Sequence, residues 1–486
     1  MRLLAALALA AALLVGGGTS SSAPVKRPNI VFVLTDDLSW DLVRFMPHVQ
    51  AMQKDGVTFS RYYVTDSLCC PSRSSIFSGR FPHNTGVFTN MAPDGGFGVF
   101  NGRGEERSTW ATSLQGAGYR TAMMGKYLNG YEPAGLVKGK PLYIPPGWNE
   151  WDVAGNGYPE FNYNLNENGK LVHYGNQPQD YLTDVISGKA VSFINQAAAD
   201  KKPFAIELAT FAPHSPFTPA PRDANDFPGL NAPRDPSFNK PNTNAPRWLA
   251  ARRPLKPKQV SDIDVRYRFR ARAVQAVDDM IASIESTLQA RGIADNTYVV
   301  FSSDNGFHMG QHELAQGKMT AFETDIRVPL VVVGPGVPSG KTISAIAENI
   351  DLRPTFSQLA GARIPSNVDG SSLVPFLRGR NPKGWRGSAL VEHHGPDRSK
   401  SDPDAPGEGS GNPSSYEALR SGHFVYVEYK DGEREYYNLA RDPYERHNTY
   451  NRLKAKPRSR LHNALRKMRR CKGRACSAAQ SLVPGP

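Results

Sequence analysis

Four short polar groups stand where apolar, β-branched runs stop. Residues 30–34 run into Thr35-Asp36-Asp37, and 121–124 into Gly125-Lys126. Residues 204–211 run into Ala212-Pro213-His214, and 298–302 into Ser303-Asp304-Asn305-Gly306. Each has an ordinary explanation alone. Asp36 and Asp37 are helix-capping types, and Asp-Asn-Gly is a common hairpin turn. Together, Asp36, Asp37, Asp304 and Asn305 make an all-oxygen set. Such carboxylates repel one another unless a cation joins them. Oxygen ligands without imidazole or thiolate suit Ca²⁺ or Mg²⁺ rather than zinc. Arg73, Lys126, Lys318 and His214 would then converge on an anionic substrate, the arrangement for sulfuryl or phosphoryl transfer. Lys318, after Gln316-Gly317, reads alone as a surface lysine. The nucleophile comes from Leu68-Cys69-Cys70-Pro71-Ser72-Arg73. Residues 74–79 read as a helix start, which sets Cys69 just ahead of a helix N-terminus. That position favours anions and lowers a thiol's pKa. A buried structural cysteine is the plain alternative.

These groups need a scaffold that brings strand ends to one edge. Runs at 30–34, 121–124, 204–211, 298–302 and 330–333 read as buried strands. Helical stretches lie between them, the clearest over 262–290 with Val274, Val277, Ile281, Ile284 and Leu288 on one face. The pattern predicts an α/β fold, with a large, mostly parallel mixed sheet sandwiched by helices. In such sheets ligands bind beyond the carboxyl ends of the strands. Residues 213–257 and 395–415 are rich in Pro, Gly, Asn, Ser and Asp and read as irregular surface segments, the second as a mobile loop. Short strand-like runs at 388–392, 416–420, 423–429 and 435–439 predict a smaller C-terminal antiparallel sheet subdomain. The expected divisions are a signal peptide over 1–23, a catalytic domain over 28–380, the small subdomain over 381–450, and a basic helix and tail over 451–486.

The 486 residues carry a net charge of +13, with 39% hydrophobic and 10% aromatic residues, which excludes general disorder. No run is long enough to span a bilayer. The first apolar run, Leu3 to Val15 behind Arg2 and before Gly16-Gly17-Gly18, reads as a Sec-type signal of a secreted protein. The charge is concentrated: residues 452–474 hold 11 Lys or Arg and no acid. That tail suits contact with polyanions. Equally, Leu461, Leu465 and Met468 at i, i+4, i+7 would dock one face of a solvated helix. Cys471 and Cys476 suit a small-loop disulfide, and the cysteine spacing gives no zinc site.

The segment Cys69-Cys70-Pro71-Ser72-Arg73, with Gly79-Arg80, resembles the Cys-x-Pro-Ser-Arg signature of the type I sulfatases, in the alkaline-phosphatase-like superfamily. The resemblance runs through Asp36-Asp37, Gly125-Lys126, Ala212-Pro213-His214, Asp304-Asn305-Gly306, Lys318 and Val328-Pro329. Gly125-Lys126-Tyr127-Leu128-Asn129 and Tyr437-Asn438-Leu439 look most like the N-acetylglucosamine-6-sulfatase and heparan 6-O-endosulfatase branch. It implies that a formylglycine-generating enzyme converts Cys69 to Cα-formylglycine, whose hydrate attacks sulfur and then collapses to release sulfate. It also implies one Ca²⁺ per chain, held by Asp36, Asp37, Asp304, Asn305 and the converted Cys69. Arg73 would hold the hydrate, Lys126 bridge it to sulfate, and His214 and Lys318 bind sulfate and help protonate the leaving oxygen. Many relatives carry a His where this chain has Leu128, and His308 is the expected substitute base. The substrate implied is a sulfated carbohydrate, most simply a hexosamine 6-O-sulfate, or an aryl sulfate. A phosphomonoester or phosphonate hydrolase of the same fold is the rival enzyme. A non-catalytic polyanion-binding protein is the rival of another class.

Overall fold

A computed structural model describes residues 27–399, 402 and 404–481. The expected signal peptide lies outside the described residues. Among the described residues, no helix is long and apolar enough to cross a membrane.

Ten strands form one mixed sheet. Five consecutive neighbours at its centre are parallel, in the order Thr297–Ser303, Asn29–Thr35, Phe204–Ala209, Arg120–Lys126 and Glu150–Ala154. Asn29–Thr35 is buried along its whole length, as a parallel strand covered on both faces must be. Its residues alternate between two cores. Ile30, Phe32 and Leu34 join one, and Val31 and Val33 the other. Helices Cys69–Ser78, Trp110–Gly116 and Leu352–Leu359 cover the first face through Ile76, Phe77, Trp110, Leu114 and Phe356. Helices Leu182–Ala199 and Pro257–Ala290 cover the second through Ile186, Phe193, Val274, Val277 and Ile281.

The long helix begins at Pro257, earlier than its apolar pattern indicates. Proline suits the first turn, where its missing N–H is not needed. The mixed part of the sheet lies at its margins. Leu330–Val333 runs antiparallel to Thr297–Ser303, while Tyr163–Glu167 and Lys170–Tyr174 extend the opposite edge as an antiparallel pair beside Glu150–Ala154.

Ser388–His393, Tyr416–Ser421, Phe424–Tyr429 and Arg434–Asn438 pair in sequence as an antiparallel sheet. Helix Ala455–Met468 lies on it, with Leu461, Leu465 and Met468 packed among Leu390, Leu419, Phe424, Tyr426 and Tyr436. Cys471 and Cys476 form a disulfide just past this helix. Leu465→Ala should cost about 2–5 kcal/mol of stability by leaving a cavity under the helix. The exposed Lys467→Ala should change stability by less than about 0.5 kcal/mol. Urea unfolding of the two variants checks the contrast.

Candidate active site

The expected residues meet at the carboxyl edge of the parallel strands. Asp37 adopts a left-handed backbone, φ 61°, which turns the chain just after the first strand. On a regular strand, Asp36 and Asp37 would point to opposite faces. Here both reach the same centre. Neither caps a helix: the short helix that follows, Trp40–Phe45, has Ser39 at its start and no side-chain cap. Two glycines let the polypeptide close in. A Cβ on Gly125, φ +97°, would lie 2.0 Å from the Ala209 carbonyl oxygen, and one on Gly306 would lie 2.1 Å from that of Thr324.

Cys69 is the first residue of helix Cys69–Ser78 rather than the residue ahead of it. Its Sγ lies 3.2 Å from Asp36 Oδ1 and 2.8 Å from Lys318 Nζ. The expected low pKa does not hold. Burial, then the charges of Asp304, Asp36 and Asp404, push the thiol well above its ordinary range. Desolvation outweighs what the helix end contributes. Cys70 points elsewhere, into the apolar core, 4.0 Å from Ser74 Oγ, with its thiol pushed up to about 12 by burial.

Each acid has a cation. Lys126 Nζ bonds Asp36, Lys318 Nζ lies 2.7 Å from Asp37 Oδ1, and Arg73 Nε donates to Asp304 Oδ2 at 2.8 Å. Repulsion among the carboxylates is therefore already relieved, and by itself it does not call for a metal. A different observation does. Asn305 donates its amide to Asp37 Oδ1 at 2.6 Å, while its Oδ1 is buried with no hydrogen-bond partner. A buried, unsatisfied carbonyl oxygen beside Asp36 and Asp37 suits a hard cation. Ligand atoms of Asp36, Asp37, Cys69 and His214 all lie within 4.8 Å of one another. His214 belongs less well to a metal shell, because a neutral imidazole is a poor match for Ca²⁺ and its ring is committed elsewhere.

His214 Nδ1 lies 2.7 Å from the Ser215 carbonyl, which fixes the ring and leaves Nε2 facing inward. Nε2 bonds Asp404 and lies 3.6 Å from Asp37 Oδ2. Burial opposes a charge on this ring, but Asp404, Asp37 and Asp36 outweigh it and raise the pKa above the usual histidine value. Lys318, read alone as a surface lysine, is buried. Burial disfavours its charge, yet Asp37 and Asp404 hold its pKa well above normal. His308 is also buried, with Nδ1 3.0 Å from both oxygens of Asp325 and with Nε2 unpartnered. Its strand pairs with Gln316–Gly317, directly before Lys318. No hydrogen bond joins it to Cys69, Lys318 or His214 among the described residues.

Three contributors escaped the sequence reading. Asp404 comes from the segment read as a mobile loop, yet it is buried in the centre. Its Oδ1 lies 2.6 Å from Lys318 Nζ, and its Oδ2 accepts from Asn90 at 2.8 Å and Asn129 at 2.9 Å. Asn90 Oδ1 in turn accepts from the Cys70 backbone N–H at 2.9 Å. Arg270, buried in the long helix, donates to the Asp37 carbonyl at 2.6 Å and the Pro213 carbonyl at 3.4 Å. Only Arg270 left a signal: an arginine on the core-facing stripe of an amphipathic helix.

The comparisons agree with this geometry. A protein solved in complex with its substrate D-glucosamine-2-N,6-O-disulfate superposes with a TM-score of 0.76 at 24% identity, covering 91% of this chain and 97% of that one. A phosphonate monoester hydrolase from Silicibacter pomeroyi superposes with a TM-score of 0.70 at 21% identity, covering 91% and 94%. Both share the fold, a large mixed sheet covered by helices with a smaller antiparallel sheet beside it. Residues 28–362 match the family model described as Sulfatase, and 310–471 match that of the N-sulphoglucosamine sulphohydrolase C-terminal region. The chain is 33% identical to the N-acetylglucosamine-6-sulfatase of Homo sapiens over 96% of its own length and 88% of that protein. The chain belongs to the sulfatase family, in this branch, and is a sulfuric ester hydrolase.

Asp36→Asn, Asp37→Asn and Asp304→Asn should each shrink the rise in melting temperature that added Ca²⁺ gives over chelator-treated protein, because a bound ion stabilises only the native state. Calorimetry with and without Ca²⁺ checks this, and identical melting curves for the parent protein in both conditions would exclude the site.

Proposed function

We propose that the enzyme removes 6-O-sulfate from N-acetylglucosamine or a related residue of a sulfated glycan, through a formylglycine at position 69 and with Ca²⁺. The observation that carries this is the setting of Cys69. Its side chain touches Asp36 and Lys318 at the start of a helix, yet its thiol is held protonated by burial and acidic neighbours. A protonated thiol is a poor nucleophile. The position suits a converted side chain with oxygen atoms, presented to cations on several sides.

Asp36, Asp37, Asp304 and the free Oδ1 of Asn305 would hold the ion. When bound, Ca²⁺ supplies positive charge at the attacking oxygen. Lys318, Lys126 and Arg73 orient the anion and offset charge that develops on its oxygens. His214 presents Nε2 with a proton retained by its acidic neighbours, and donates it to the leaving oxygen. His308 is the base that Leu128 cannot be, with Asp325 fixing its ring. Aryl sulfates, which need little pocket recognition, serve as small substrates. Maturation requires a formylglycine-generating enzyme, and the N-terminal pattern supports secretion. The basic tail supports contact with polyanions. Divisions at 380 and 450 separate the catalytic sheet from the small sheet and the terminal helix.

Similarity to a phosphonate monoester hydrolase keeps one rival in view. Turnover of paired sulfate and phosphate or phosphonate esters separates the two, and preference for phosphorus would overturn the sulfatase substrate reading. For a merely polyanion-binding protein, loss of the nucleophile would leave every measurable function intact.

Cys69, not Cys70, is the position converted. Mass spectrometry of the tryptic peptide should show thiol replaced by aldehyde at 69. Cys69→Ala should abolish turnover with folding intact, while Cys70→Ala keeps substantial activity. Total loss from both would count against the assignment.

For His308→Ala we expect a burst of released alcohol followed by turnover slowed about 10²- to 10⁴-fold, the usual range for a lost general base. His214→Ala should slow the burst itself. A near-normal steady state in His308→Ala would remove it from the reaction.

A further inference from the structure

The sulfatase reading leaves two features unused: a large cavity beside the site and the charge on the terminal helix. The cavity, of about 830 Å³, is lined by Thr89, Met91 and Asp402 and also by Arg434, His462 and Arg469, in a wall that mixes acids such as Glu417 and Glu428 with these cations. Asp402 links the cavity to the nucleophile's surroundings, since Asp404 Oδ1 lies 3.8 Å from Cys69 Sγ. Asn90, between Thr89 and Met91, donates at 3.3 Å to Asp402 and at 2.8 Å to Asp404, and Asp404 in turn meets Lys318. One layer of carboxylates therefore separates the cavity from Cys69.

The same cavity is lined by His462 of helix Ala455–Met468 and by Arg469, the residue that caps it. Leu461, Ala464, Leu465 and Met468 are buried against the small sheet, so the orientation of the helix is fixed. Lys456, Arg460 and Lys467 then fall at i, i+4 and i+11 along one exposed ridge, and the exposed Arg470 follows in the turn just past the helix end. Arg466, also exposed, lies on the helix between that ridge and the cavity-facing His462 and Arg469.

The two sets of cations differ in their pairing. Three of those at the cavity wall are matched: Arg469 with Glu417 at 3.3 Å, Arg434 with Glu428 at 3.3 Å, and His462 with Glu428 at 2.8 Å, while Arg398 and Lys430 on the same wall have no ion pair among the described residues. Lys456, Arg460, Arg466, Lys467 and Arg470 have no ion-pair partner among the described residues, and no Asp or Glu occurs anywhere after Glu445. From Lys456 to Lys467 the ridge is roughly 16 Å long at the α-helical rise. That exceeds a single sugar residue. Residues 455–474 contain no Phe, Tyr or Trp on which a nucleobase could stack.

We propose that this ridge and the cavity form one track for an extended sulfated polysaccharide, whose reacting residue enters the cavity while flanking sulfates lie along Lys456, Arg460, Arg466, Lys467 and Arg470. The proposal rests on the sulfatase reading for the identity of the reacting group. The ridge charges act before and outside the chemical step, through counterion release and longer-range attraction.

The test uses the full-length, converted enzyme carrying Lys456→Gln, Arg460→Gln, Arg466→Gln, Lys467→Gln and Arg470→Gln together. Glutamine keeps helix propensity, and an unchanged melting temperature confirms the fold. On glucosamine 6-sulfate, kcat/KM should stay within about twofold of the parent. On a 6-O-sulfated heparin chain, KM should rise at least about tenfold, and the dependence of KM on salt should flatten, as expected when several cation–anion contacts are lost. Unchanged KM on the polymer, or equal losses on both substrates, would overturn the track. Calorimetric titration of heparin into Cys69→Ala protein, with and without the five changes, reads the track without turnover. Binding that falls on neutralisation supports it even if the parent enzyme proves not to hydrolyse sulfate esters. Single-stranded DNA of equal charge bound as tightly as heparin would overturn the polysaccharide assignment.

Discussion

Charge balance in a dry site is the constraint from which the rest follows. Asp36, Asp37 and Asp304 are buried, and each is matched by one of Lys126, Lys318 and Arg73. Taking such groups out of water is expensive, and their mutual attraction compensates only where geometry is good. The fold supplies that geometry. Asp36 and Asp304 directly follow, and Lys126 ends, adjacent or nearby parallel strands, whose registers set their spacing. Arg73 comes from a helix buried at every position. Arg270 holds the Asp37 and Pro213 carbonyls from the opposite face. Removing any one member would leave a buried charge unmatched, so positioning and stability are the same problem here.

The parallel core was largely legible in the sequence because its strands are short, apolar runs that end in turn residues. The long helix was legible because its apolar positions recur at helical spacing. The margins were not. Lys170–Tyr174 is largely exposed and carries no alternation to detect, and Lys341–Ile343 is a three-residue edge strand. Such elements exist through pairing with neighbours rather than through a pattern of their own.

Site residues followed the same division. Asp36, Asp37, Lys126, His214, Asp304 and Asn305 could be placed because strand ends mark the ligand edge of a parallel sheet. Cys69 was read from its place near a helix start, and Arg73 and Lys318 as cations suited to an anion, but their particular roles needed the resemblance, since nothing in local pattern distinguishes Lys318 from a surface lysine. Asp404 left no sign at all. It lies in a segment rich in Ser, Asp, Pro and Gly, and its role depends on a long-range contact with Lys318 and His214. Local composition correctly gave an irregular chain and could not say where that chain rests. The pKa of Cys69 failed for a related reason: a helix N-terminus is visible in sequence, but the acids folded around it are not.

The place taken by Asp404 changes what entry of a substrate means. Its carboxylate faces Lys318 and His214, two of the groups proposed to receive a sulfate, with Asn90 and Asn129 behind it. The seat already holds a negative charge of the protein's own. If a sulfate ester takes this seat and Asp404 gives way, one anion is exchanged for another and the net charge among the inner cations stays nearly constant. Attraction for the ester at this point is then a difference between two anions rather than the full attraction of bare cations. On that arrangement the inner seat would discriminate by shape and hydrogen bonding, and the long-range pull on an anionic chain would fall to charges that have no carboxylate of their own.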